Sequence, residues 1–219
     1  MSGILVCYLI GVPLFVFFCY SALRFFFFVL VDFCIIRFEL VCSGLDSDVA
    51  GIMYRSRKLI NVATGFRVVD CFFPIASGQR ELVIGDRQTG KSSICVSSML
   101  NQVSRNSETF VRKAMLCVYI CVGQKCSNTM RLFDLTVRNA CSSFLLVVFS
   151  TVTDTMSMQF VSPMSGTCIS ELLRNNGYHC FVVYDDLSKH AVAYRQLSLF
   201  LRKPAGREAY PSDIYMLVY

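Results

Sequence analysis

Apolar runs alternate with amphipathic stretches along this chain, and the alternation changes character near residue 44. Upstream, residues 4–23 carry no charge and contain one proline, Pro13; Arg24 then separates them from the apolar run 25–31, which ends at Asp32. Downstream, short continuous apolar runs recur at 81–84, 115–122, 144–150 and 180–184. Stretches with helical spacing follow at 93–100, 127–141, 170–175 and 188–201. Apolar strands separated by helices predict a mainly parallel sheet covered on both faces, because a strand buried on two sides has no polar face to alternate with. The reading is therefore α/β over residues 45–219, preceded by an apolar segment over residues 1–44. No internal repeat or low-complexity linker interrupts it.

Composition changes the picture mainly in that first segment. The chain has 219 residues, 54 % of them hydrophobic, and the excess over an ordinary domain sits in the first forty or so. About twenty apolar residues suffice to cross a bilayer as a helix, so a membrane span or uncleaved anchor is one expectation for this segment. A signal peptide fits less well, since no basic region precedes the apolar part. A transit peptide fits badly, since those are Arg- and Ser-rich. The other expectation is that residues 1–44 are non-homologous, either upstream sequence read in as protein or a drifted copy of a lost domain.

Charge and cysteine use exclude more than they assign. The net charge of +6 is scattered, apart from Arg55, Arg57 and Lys58, and no aromatics interleave with that cluster as a nucleic-acid platform requires. It reads as a solvated face, and no nucleic-acid partner is expected. Cysteines are numerous (12), but none forms a CxxC pair, and His179 and His190 lack zinc spacing. Cys117 and Cys121 fall on one side of a strand and read as core.

The chemistry begins at residues 85–92, GDRQTGKS, a complete GxxxxGK[ST] phosphate loop. The run 81–84 is expected to enter it as a strand, and 93–100 to leave it as a helix. In that geometry backbone N–H groups and a helix N-terminus converge on one anion, which is what a polyphosphate needs. Gly85 and Gly90 permit positive φ and close approach; Lys91 suits the β and γ phosphates; the Ser92 hydroxyl suits Mg²⁺. A second element is Asp185-Asp186 at the end of the run 180–184. There a strand-end carboxylate can hold a Mg²⁺-bound water opposite the loop.

Over residues 51–213 the chain resembles the alpha subunit of the rotary F-type ATP synthase. The resemblance is carried by TGFRVVD at 64–70, GQRELVIGDRQTGKS at 78–92, VGQK at 122–125, YDDLSK at 184–189, AVAYRQ at 191–196 and GREAYP at 206–211. The DRQTGK filling is specific, because the beta subunit and the flagellar and secretion ATPases place small apolar residues there. What the resemblance implies is a RecA-like P-loop NTPase domain binding ATP or ADP with Mg²⁺, in a ring that alternates with beta subunits around gamma. It implies nucleotide contacts from Gly85, Asp86, Arg87, Gln88, Thr89, Gly90, Lys91, Ser92 and Gln124, and Mg²⁺ contacts from Ser92 and Asp185. Lys125 is expected nearby. Catalytic beta subunits carry a Glu where Gln124 stands; an amide cannot act as a base, so binding without hydrolysis is the expectation.

Departures from the family's pattern accompany the matches. Ala76-Ser77 and Cys126 replace a usual Gly-Arg and Arg, an N-terminal β-barrel is expected upstream, and a helical domain downstream. Two functions follow: a non-catalytic ATP-binding alpha subunit, or a truncated relative, membrane-tethered or decayed, that does not assemble. For the first, family grounds place it at the mitochondrial inner membrane on the matrix side, with thylakoid or bacterial membrane as alternatives. Membrane association would come through the complex, or through residues 4–31.

Overall fold

In the computed structural model the described residues are 4–9, 12–17, 53, 60–86, 88–106, 114–138, 144–204 and 206–217. Arg87 and the basic cluster Arg55, Arg57 and Lys58 lie outside them.

Three strands form the central sheet: β5 (Met115–Gln124), β6 (Leu145–Thr151) and β7 (His179–Asp185), in the order β6-β5-β7. Both pairings are parallel, as the apolar runs predicted. Helices α2 (Lys91–Asn106) and α3 (Cys126–Arg138) cover one face; α4 (Met156–Asn175) and α5 (Leu187–Phe200) cover the other. Side chains of β5 divide between the two by parity, since successive Cβ atoms point to opposite faces. Val118, Ile120 and Val122 pack with Val148 and Leu173, while Cys117, Tyr119 and Cys121 pack with Met99, Leu132, Leu145 and Val183. Cys117 and Cys121 are thus core, as expected. Burial, and then the charge of Asp185, push the Cys121 thiol up to about 12, which keeps it protonated and unreactive.

Two expectations need correction. Residues 81–86 form no strand: Leu82, Val83 and Ile84 are 65, 43 and 83 % exposed. A short apolar run becomes a strand only by pairing, and this one has no ladder partner among the described residues. The helix read at 170–175 runs from Met156, twenty residues in all. Its N-terminal two-thirds hold Pro163, Gly166 and many small hydroxyl residues, which argue against a helix in isolation. Here they serve close packing, for Gly166 approaches Ile120 so nearly that an added Cβ would lie 2.4 Å from its Cδ1. The hydroxyls of Ser165 and Thr167 donate to the carbonyls of Val161 and Pro163, four residues back.

Ile4–Leu9 (β1) and Val12–Phe17 (β2) form an antiparallel hairpin, with Ile4 opposite Phe17 and Leu9 opposite Val12, and β1 approaches β6. Pro13 breaks helical continuity, and the Val, Ile, Tyr and Phe content favours strands. No helix among the described residues is long and apolar enough to cross a membrane. Residues 18–44 lie outside the description.

Ahead of the loop, α1 (Arg67–Phe72) and a two-residue ladder of β3 (Asn61–Val62) with β4 (Ile75–Ala76) shape the approach. Asp70 organises it, accepting from the Thr64 N–H at 2.8 Å, the Thr64 hydroxyl at 2.7 Å and the Gly65 N–H at 3.1 Å. Asn101 of α2 donates to the Ala63 carbonyl at 2.9 Å, and Gln102 donates to the same oxygen, so this turn is anchored to the loop helix.

Candidate nucleotide site

The phosphate loop lies at the carboxyl end of the sheet, where α2 begins. Gln88 (φ 65°) and Gly90 (φ 91°) take left-handed conformations that turn the chain sharply into the helix. Gly85 is required for space instead: a Cβ there would stand 2.7 Å from the Thr89 hydroxyl oxygen. That hydroxyl donates to the Asp86 carbonyl at 2.9 Å and ties the loop across itself. Lys91 bends back so that Nζ donates to the Gly85 carbonyl, spanning the mouth of the loop. The first regular helical bond, from Ile94 N–H to Gly90 carbonyl at 3.0 Å, leaves the preceding N–H groups without intrahelical partners. An arriving phosphate would meet those groups, the positive end of the helix dipole and Lys91 together.

Opposite the loop stands Asp185, the last residue of β7. The Ser92 hydroxyl donates to its Oδ2 at 2.9 Å, the Tyr119 hydroxyl donates to the same oxygen at 2.6 Å, and the Gln124 amide donates to Oδ1 at 3.3 Å. The structure therefore joins Ser92, Gln124 and Asp185, which are up to 93 positions apart in the sequence. The acidic pair divides its roles. Asp185 faces the loop, whereas Asp186 caps α5, its Oδ1 accepting from the Lys189 N–H at 3.0 Å. The peptide between them is cis.

Ser92 and Asp185 supply two hard oxygen donors that already converge on each other, beside the position a terminal phosphate would take. That donor set fits Mg²⁺, which favours carboxylate, hydroxyl and phosphate oxygens and keeps several waters. Tyr119 escaped the sequence reading, since nothing marks one tyrosine in an apolar run. Only the register, with Tyr119 opposite Val183 and Cys121 opposite Asp185, aims its hydroxyl along the sheet at the carboxylate. Burial, and then the Asp185 charge, push that phenol far up, so it keeps its proton and acts as a donor. Gln124 itself is seated by Gly123, whose φ of 58° and whose nearness to Gln159 and Lys189 leave little room for a side chain.

A phosphate loop on a helix N-terminus, faced by a strand-end carboxylate on a parallel sheet, defines a P-loop nucleotide-binding domain of the α/β class. More narrowly, the chain belongs to the ATP synthase alpha/beta family, whose nucleotide-binding domain matches residues 65–219. It is 44 % identical to ATP synthase subunit alpha of Neorickettsia sennetsu over 175 residues, which are 80 % of this chain and 34 % of that protein. Mitochondrial ATP synthase subunit alpha of Trypanosoma brucei brucei is also 44 % identical, over 79 % of this chain and 30 % of its own length. The corresponding subunit of Carsonella ruddii is 42 % identical over 80 % of this chain and 35 % of its own. The chain spans about a third of the length of these curated relatives.

Proposed function

We propose that this chain is the nucleotide-binding part of a non-catalytic alpha subunit of a proton-translocating F-type ATP synthase, holding MgATP or MgADP without hydrolysing it. The observation that carries the reading is Gln124. It lies at the end of β5 with its amide on Asp185, so the group beside the metal-side carboxylate is a neutral donor. A base that polarises the attacking water must accept a proton, and an amide has no capacity to do so.

Each residue has a bounded role in this proposal. Lys91 leaves the Gly85 carbonyl and places its ammonium on the β and γ phosphates, while loop N–H groups from Gly85 to Ser92 cradle them. Arg87 and Gln88 lie along the nucleotide by family resemblance. Ser92 and Asp185 hold the cation, which when bound neutralises phosphate charge and fixes the phosphate geometry. The partners on this reading are the catalytic beta subunits, in an alternating ring around gamma. The setting is the matrix side of the mitochondrial inner membrane, supported by the mitochondrial relative.

Titrating the purified chain with ATP and Mg²⁺ in a calorimeter, with phosphate release followed in parallel, tests the chemistry. Binding without release above the buffer rate is expected; steady turnover overturns the non-catalytic reading, and no heat of binding overturns the nucleotide reading. Membership of the complex is tested on native gels of detergent-solubilised membranes. Migration with the ATP synthase is expected, and a band only at the monomer position contradicts it.

A further inference from the structure

Tyr119 is 1 % exposed, in the middle of the sheet, among Met99, Cys117, Cys121 and Val183. A phenol hydroxyl in such apolar surroundings costs free energy unless it finds a partner, and phenylalanine would fill the space without that requirement. The partner here is one carboxylate oxygen of Asp185, at 2.6 Å. Among the described residues Asp185 accepts three hydrogen bonds, and the three donors differ in what they can do. Ser92 stands at the start of α2, exposed, and its oxygen is the one a cation would claim. Gln124 reaches Oδ1 only at 3.3 Å, from the strand end. Tyr119 alone of the three is locked by packing on a central strand, so its bond to the carboxylate persists when the other two rearrange.

We propose that Tyr119 is a positioning residue of the metal half of this site: its hydroxyl holds the Asp185 carboxylate in the orientation that meets a Mg²⁺ ion carried in with the nucleotide. The inference rests on the function proposed above. Without the hydroxyl the carboxylate can turn about its side-chain torsions, and its alignment with Ser92 must be reached anew at each binding event. Bonds to charged groups of this kind correspond to about tenfold in an equilibrium constant.

The test compares ATP affinity in Mg²⁺ with ATP affinity in EDTA, by calorimetry on the full chain. Their ratio is the readout, because general loosening of the fold weakens both alike. Tyr119→Phe is expected to lower the ratio about tenfold. Tyr119→Met, apolar and of similar reach, is expected to do the same and serves if the Phe variant does not fold. In an Asp185→Asn background Tyr119→Phe should change the ratio no further, because the hydroxyl acts through the carboxylate. An unchanged or larger ratio in the single variants, or a further drop in the Asn background, overturns the role of Tyr119 while leaving the function intact. A wild-type chain that binds no ATP in either buffer overturns both.

Discussion

The side-chain amide of Gln124 donates to Oδ1 of Asp185 at 3.3 Å, from the strand next to it. An amide is attracted to that carboxylate where a second carboxylate would be repelled. Gln124→Glu therefore places two like charges at hydrogen-bond range in a half-buried site, which costs about 1–2 kcal/mol in the free chain. Millimolar Mg²⁺ should restore most of the loss by lying between the two charges. Thermal unfolding of both chains with and without Mg²⁺ checks this: the variant gains several degrees from the cation, and the wild type gains less. Equal shifts would mean that position 124 does not face the metal side.

Lys91 carries the phosphate end of the argument. In the free chain its ammonium is held by the Gly85 carbonyl, so Lys91→Ala removes a loop contact and, on the proposed function, the group that meets the phosphates. Charge-assisted bonds to phosphate imply a loss of at least about 100-fold in ATP affinity. Lys91→Arg should recover little, since the wider guanidinium does not fit a loop shaped around a point charge. Competition binding with ATP against each variant measures it, and an affinity within threefold of wild type for Lys91→Ala would contradict the site.

Much of this was legible in the sequence because the phosphate loop, the apolar strands and the acidic strand end are local patterns with local causes. The run 115–122 reads as a buried strand, and it is one, with residues Val118 to Val122 at most 2 % exposed. What stayed hidden depends on contacts between distant residues. Strand pairing decides the state of 81–86, and no local pattern reports a missing partner. Small residues in α4 look like loop until Ile120 is known to press against Gly166. Tyr119 becomes a site residue only through the register of two parallel strands. The resemblance singled out Asp185 of the acidic pair, but that Asp186 caps α5 emerged only from the position of that helix.

Gly166 tests the close packing of α4 on the sheet. A methyl group there would fall 2.4 and 2.6 Å from Cδ1 and Cγ1 of Ile120, too near for the isoleucine to accommodate by rotating its tip alone. Gly166→Ala ordinarily gains helix stability, yet overpacking should outweigh the gain and leave a net loss of about 1–2 kcal/mol. Adding Ile120→Val removes Cδ1 and should recover part of it, giving a favourable coupling between the two changes. Urea unfolding of the four chains in this cycle measures the coupling. Strict additivity would show that α4 does not approach the sheet so closely.

His190 links α5 to α4, its Nε2–H donating to the Phe160 carbonyl at 3.3 Å while its ring stacks on Phe160 at 5.6 Å between centroids. The side chain is 5 % exposed, and burial lowers its pKa below the usual histidine value; the Phe160 carbonyl opposes that only partly. A depressed imidazole is neutral in the fold at a pH where the unfolded chain already binds a proton. Its contribution is therefore fully present above the unfolded value, about 6.5, and is lost as pH falls from there through the folded pKa. Each unit of depression corresponds to about 1.4 kcal/mol. His190→Gln keeps a neutral donor but cannot titrate, so its melting temperature should fall less than that of the wild type between neutral pH and about pH 5. Parallel pH dependences for the two proteins would place the acid sensitivity elsewhere and show that His190 protonates without strain on the α4–α5 contact.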